Sequence, residues 1–294
     1  MAFAVSLLAV VTVVTPQAGG QTVEKKMPSF EEMIRMRIVL SVPGMDPLTS
    51  RRDVVYKTVE GQPLHMDVYS PAGPAGPRPA VLLVHGGPIP KLGAKNMGVF
   101  QSYGELLAAS GFVAVAFDHR FLAPARLADA GSDVADLIAY VRTNAALLGV
   151  DPDRIAIWAF SGGGPFLAAP MRERPAWLRA VLAFYAVLDL QQPPPGAPDS
   201  GVGPEMRERF SAIRALGDDA RKAPPLLVAR AGLDHPWLNG GIDRFVQEAL
   251  ARGATLDLLN HPDGRHGFDI LDDDGRTKEI LRRALEFLKE RLAP

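Results

Sequence analysis

The chain of 294 residues contains no cysteine. That excludes disulfides, thiolate nucleophiles, cysteine-ligated zinc and lipid attachment through sulfur. Neither sign of charge dominates: 32 Lys and Arg stand against 33 Asp and Glu, a formal net charge of −1. No global field invites nucleic acid or an anionic membrane. Nor is there an apolar run long enough to cross a bilayer comfortably as a helix. The longest candidate, Met1 to Val14, is too short, and no Lys or Arg precedes it. Ala18-Gly19-Gly20 supplies small residues where a signal peptidase would cut. Residues 1–20 therefore resemble a secretory signal. The expectation is export to the periplasm or the exterior, with no stable span in the mature chain. A cytoplasmic location and an N-terminal anchor are the alternatives.

What is present is an ordinary globular balance, 47% apolar and 22% charged, in a chain long enough for a substantial core. Residues 21–52 read as an N-terminal extension with a short amphipathic piece from Phe30 to Val42. Alternation at Val54, Tyr56 and Thr58, then at Leu64, Met66 and Val68, surrounds Gly61-Gln62-Pro63. That pattern predicts a β-hairpin. Apolar strands are then expected at 80–84, 112–117, 155–160, 178–188, 226–231 and 255–259. Helical periodicity occupies 103–109, 134–148, 242–251 and 278–292. Strands apolar on both sides and separated by helices imply a mostly parallel sheet with helices on both faces. The opening hairpin makes that sheet mixed. Residues 53–294 thus form one α/β domain. The Pro-rich piece from Gln191, with the helix-like stretch to Leu216, interrupts the alternation. It reads either as a small cap over the strand ends or as a connecting loop.

The chemistry concentrates in Ile155-Ala-Ile-Trp-Ala-Phe-Ser-Gly-Gly-Gly164. A strand, a sharp turn and a helix with Ser161 at the apex would expose its hydroxyl. Serine is a poor nucleophile unless a base activates it. His266, in the loop after the last strand, is the first choice of base. His261 is its rival, but Pro262 after it favours a loop-structuring role. His65 and His119 read as structural, and His85 as a buried support. Asp234 closes the strand 226–231 and is the expected acid, with Asp189 a substitute and helix capping the bland alternative. His85-Gly86-Gly87-Pro88 follows a core strand. The N–H groups of Gly87 and Gly162 are expected to face a developing oxyanion. Pro88 has no N–H to add. Phe160, Trp237 and Phe268 flank these residues and are candidates for a substrate pocket.

With this order, His-Gly-Gly, Ser, Asp, His, each at a strand end, the chain resembles the α/β-hydrolase superfamily from about Val54 to Leu292. It looks most like the single-domain esterases and the dienelactone-hydrolase-like or prolyl-oligopeptidase-like branch. The resemblance implies the α/β-hydrolase fold, a Ser161, Asp234, His266 triad, hydrolysis of a small-molecule carboxylic ester and no cofactor. Two positions depart from the usual patterns. Ala159 replaces the first Gly of G-x-S-x-G, and Pro88 follows His-Gly-Gly. Dienelactone hydrolases proper use a cysteine, which is absent here. Three other readings stay open: a serine peptidase on the same triad, a hydrolase fold kept for binding, and a metal hydrolase. The last would use His261, His266 and Asp263 or Asp269, although no ordered metal-binding motif is present. The run Asp272-Asp273-Asp274 reads as a solvated turn.

Overall fold

A computed structural model describes residues 28–45, 49–73, 76–192 and 201–294. The signal expected over residues 1–20 lies outside the described residues, as do parts of the extension and residues 193–200 of the possible cap.

The strands are β1 (Thr49–Val59), β2 (Gln62–Ser70), β3 (Arg78–Val84), β4 (Val113–Phe117), β5 (Val150–Phe160), β6 (Leu178–Phe184), β7 (Leu226–Ala231) and β8 (Leu256–His261). They form one eight-stranded sheet in the order β1-β2-β4-β3-β5-β6-β7-β8. The hairpin β1–β2 and the β2–β4 pair are antiparallel, and every later pair is parallel. This is the mixed sheet expected from the sequence.

The helices are α1 (Phe30–Met33), α2 (Gly98–Ala109), α3 (Leu127–Thr143), α4 (Ala145–Leu148), α5 (Ala168–Glu173), α6 (Pro204–Phe210), α7 (Ala212–Ala215), α8 (Pro236–Ala251), α9 (Phe268–Leu271) and α10 (Gly275–Arg291). Where one helix was expected over 134–148, α3 stops at Thr143 and α4 follows. Asn144 interrupts it by folding its side-chain amide back onto the Tyr140 carbonyl at 2.9 Å. The strand expected over 178–188 ends at Phe184, because Tyr185 turns to φ 38°. Of the amphipathic piece 30–42 only α1 is helical, and the chain then bonds to α2 through the Ile38 N–H, which donates to Ser102 Oγ at 3.0 Å.

Period-two alternation divides the core in two. Leu82, Val84, Ile155, Ile157 and Ala159 pack with α3 and α8 on one face. Val81, Leu83, Trp158 and Phe160 pack with α2, α10 and the extension residues Ile38 and Leu40 on the other. The described end of the 191–216 excursion forms α6 and α7, which pack on α5 and on the turn after β5. Asp189 anchors it. Its buried carboxylate accepts Gln191 N–H at 2.8 Å and Arg244 Nε–H of α8 at 2.7 Å. Because α6 and α7 touch the elbow turn, the excursion stands beside the C-terminal strand ends, where such sheets bind ligands.

Candidate active site

β5 delivers Ser161 to the C-terminal edge of the sheet, where the chain turns at once into a helical turn over Ser161–Leu167. Ser161 adopts φ 50°, a conformation rare outside glycine. Its neighbours hold it there. Val187 donates its N–H to the Ser161 carbonyl at 2.9 Å. A Cβ on Gly163 would lie 2.7 Å from the carbonyl oxygens of Val84 and His85. Only a residue without a side chain fits there. Ala159 sits fully buried in the sheet between Val84 and Ala183. A methyl group is accommodated where the usual motif has glycine.

His266 reaches Ser161 from the loop between β8 and α9. Its Nε2 lies 2.8 Å from Ser161 Oγ, and its Nδ1 lies 2.6 Å from Asp234 Oδ2. The Asp234 side chain is 6% exposed and that of His266 is 26% exposed, so a shielded acid backs a ring open to ligand. Asp234 Oδ1 also accepts the His235 N–H at 2.7 Å. Asp234 does not cap α8. That role falls to His235, whose Nδ1 accepts the Trp237 N–H. Asn239, missed in the sequence, steadies the acid loop by donating to the Ala231 carbonyl at 2.9 Å. The base loop is pinned by Arg265, which donates to Asp272 through its backbone N–H at 2.9 Å and its Nε at 2.7 Å.

Asp272-Asp273-Asp274 is therefore not simply a solvated turn. Asp272 is buried against Arg265, and Asp274 caps α10 by accepting the Thr277 N–H at 2.8 Å. His261 is buried and 3.1 Å from Thr277 Oγ1. Asp269 is held by two tyrosines. The residues proposed for a metal set thus point to different partners, and among the described residues no three His, Asp or Glu side chains gather closely enough to hold an ion.

Gly86 and Gly87 lie against the elbow. A Cβ on Gly162 would come within 2.9 Å of the Gly87 nitrogen. Gly162 is in the first turn of its helix, so its N–H has no intrahelical acceptor. Among the described residues none accepts the Gly87 N–H. Two free donors therefore stand side by side next to Ser161. Phe121, also missed in the sequence, supports this loop, since its carbonyl accepts the Ile89 N–H at 3.0 Å.

Beneath the loop His85 and His119 stack, with ring centroids 3.5 Å apart and planes 5° off parallel. His85 Nδ1 donates to the Gly86 carbonyl at 2.6 Å, and His119 Nε2 donates to the His85 carbonyl at 3.2 Å. Burial pushes the His85 imidazole down to about 4 and His119 well below its ordinary value. Both rings are neutral at pH 7. Unfolded, they take up protons near pH ~6.5, so the unfolded state binds more protons below that pH. The stability of this pair is complete above pH ~6.5 and lost as the pH falls toward 4, by on the order of 3 kcal/mol for His85 alone. Urea unfolding at pH 7 and pH 4.5 checks this. His119→Phe should weaken the dependence, and identical slopes in both proteins would rule the neutral stack out.

The three proposed pocket residues separate. Phe160 and Phe268 are buried core, Phe160 packed among Phe100, Tyr103 and Tyr185. They support the site from below and do not line an open pocket. Trp237 is half-buried and donates its indole N–H to the Gln192 carbonyl at 3.1 Å, joining the acid loop to the excursion.

Known proteins share this fold. The BD-FAE family model matches residues 66–173, from β2 through Ser161 to α5. Esterase 2 of Thermogutta terrifontis, phosphoramylated by tabun, superposes with a TM-score of 0.66 at 26% identity over 86% of this chain and 98% of that one. Its butyrate-bound form superposes with a TM-score of 0.65 at 27% identity over the same shares, 86% and 98%. The para-nitrobenzyl esterase of Bacillus subtilis is 24% identical over 256 residues, 76% of this chain. This chain has the α/β-hydrolase fold that these esterases share. The hydrolase is also 30% identical over 181 residues, 56% of its length, to the non-reducing polyketide synthase pkbA of Emericella nidulans. It spans 7% of that synthase and 52% of the para-nitrobenzyl esterase. None of these relatives carries the name of the dienelactone-hydrolase-like or prolyl-oligopeptidase-like branch.

Proposed function

We propose that this hydrolase cleaves small carboxylic esters through an acyl-enzyme on Ser161. The observation that carries the reading is the hydrogen-bonded line Asp234, His266, Ser161, with the serine at positive φ beside two free backbone donors. Ser161 Oγ attacks the ester carbonyl carbon while His266 Nε2 takes its proton. The negative charge on the carbonyl oxygen is met by the N–H groups of Gly87 and Gly162, each worth roughly 3 kcal/mol. Collapse expels the alcohol, which leaves with the proton from His266. Water, deprotonated by the same ring, then releases the acid. Asp234 holds the Nδ1–H tautomer and stabilises the imidazolium, without taking a proton itself.

The butyrate-bound relative supports a short acyl group. So does the construction of the site, where aromatic side chains pack under Ser161 and α6 and α7 stand at its side. The test is a series of p-nitrophenyl esters. kcat/KM is expected to peak at acyl chains of two to four carbons and to be indifferent to chelator. Preferential cleavage of aminoacyl anilides would replace this reading with a peptidase.

A further inference from the structure

Asp269 lies three residues beyond His266, at the start of α9, and is fully buried. Its Oδ2 accepts the phenolic O–H of Tyr103 on α2, and its Oδ1 accepts that of Tyr185 at the end of β6, both at 2.7 Å. Its carbonyl takes the N–H of Val39 at 2.9 Å, so the N-terminal extension closes over it. Two donors on two oxygens suit an ionised carboxylate. Burial is the largest influence and leaves this carboxyl above the ordinary carboxylate range, while the bonds from Tyr103 and Tyr185 and the charge of His266 offset it in part.

Tyr185 links Asp269 to the base. Its ring centroid is 4.8 Å from that of His266, edge to face at 61°. The residue is held at φ 38°, unfavourable for a bulky side chain. Its N–H bonds the Ala229 carbonyl at 2.8 Å, and its hydroxyl is fixed by Asp269. Strain of this kind persists only where the surroundings over-determine it. A neutral amide would clamp two tyrosines just as well. A buried carboxyl group is the costly choice, and it lies one tyrosine ring away from the one side chain that must become a cation during the reaction.

We propose that Asp269 is a positioning residue for His266: through Tyr185 it fixes the ring between Asp234 and Ser161, and its negative charge favours the imidazolium. The inference rests on the serine-esterase reading for its kinetic consequence. The groups facing His266 are Asp234 from the β7–α8 loop, Ser161 from the elbow, Tyr185 from β6 and Asp269 from α9, with Tyr103 of α2 behind Asp269. In this role Asp269 takes no proton, and protons move only between Ser161, His266, the leaving alcohol and the attacking water.

Asp269→Asn removes the charge while keeping the size. The ring must be neutral to accept a proton, so activity rises with pH through its titration. Losing a nearby negative charge lowers its proton affinity, and the acid limb of kcat/KM should move down by about one pH unit, a tenfold change. kcat on p-nitrophenyl butyrate should fall roughly tenfold, with KM within about twofold. Proton NMR of the His266 Nδ1–H should show the same displacement of its titration. Tyr185→Phe keeps the charge and should lower kcat with a smaller displacement. If Asp269→Asn does not fold, Tyr103→Phe, which makes the carboxyl harder to ionise, should displace both readouts in the same direction by less. Loss of melting temperature with both titrations unmoved in these variants would overturn the proposal. If the wild type turns over no ester, the esterase reading fails. The NMR titration still tests Asp269.

Discussion

Replacing Ser161 with alanine should reduce ester turnover by about 10⁴-fold or more and abolish labelling by a fluorophosphonate probe. The fold should not notice. Alanine meets the same cost as serine at φ 50°, and the bonds that hold the elbow are backbone bonds, such as the one from Val187 to the residue 161 carbonyl. Melting temperature should therefore stay within a degree or two while the chemistry disappears. What survives is attack by water, still helped by the N–H pair and by substrate binding. His266→Ala should lose a similar factor, and the double variant little more, because the groups act as a unit. Asp234→Asn is the informative partner. It can keep the geometry yet favours the wrong imidazole tautomer, so kcat should drop steeply with the protein folded. A Ser161→Ala protein that still labels would remove the serine from its role, however well placed it is 2.8 Å from His266.

The elements that position this site could be read from pattern, and the contacts that tune it could not. Continuous apolar runs such as Val81 to Val84 announce strands buried on both faces, and their order with intervening helices leaves few topologies. A serine among small residues after such a run announces an elbow, even with Ala159 in the first small position. Asp234 and His266 follow because each closes a strand. Asp269 and Tyr185 carried no such mark. Their importance comes from two helices and a strand end meeting on one carboxylate, 166 residues from Tyr103 and 84 from Tyr185. Separations of that size leave no local periodicity. Phe160 and Phe268 went the other way. Adjacency in sequence to Ser161 and His266 suggested a pocket, but alternation along β5 turns Phe160 into the core. Pro/Gly content likewise could not say whether 191–216 covers the site, since composition sets flexibility and leaves direction open.

Gly162→Ala should cost activity nearly as much as a triad substitution, through the backbone alone. The new methyl group would collide with the Gly87 carbonyl oxygen and press within 2.9 Å of the Gly87 nitrogen. Neither obstacle is the end of a flexible side chain, so relief requires the two backbone segments to part. Those segments carry the two donors assigned to the oxyanion. Each donor lost costs roughly 10² to 10³ in kcat, so displacing both should lower kcat by about 10³-fold or more. KM should change far less, because the ground-state carbonyl depends little on the hole. Forcing the segments apart also disturbs the His85 and His119 stack directly beneath, and overpacking of this kind costs about 1–3 kcal/mol. Gly203→Ala is the matched control. Nothing lies within 4 Å of its Cβ position, at the start of α6, and both activity and melting temperature should be unchanged. Measured together, the pair separates loss of the oxyanion donors from a general intolerance of alanine. A Gly162→Ala enzyme with kcat within a few-fold of wild type would show that the donors lie elsewhere.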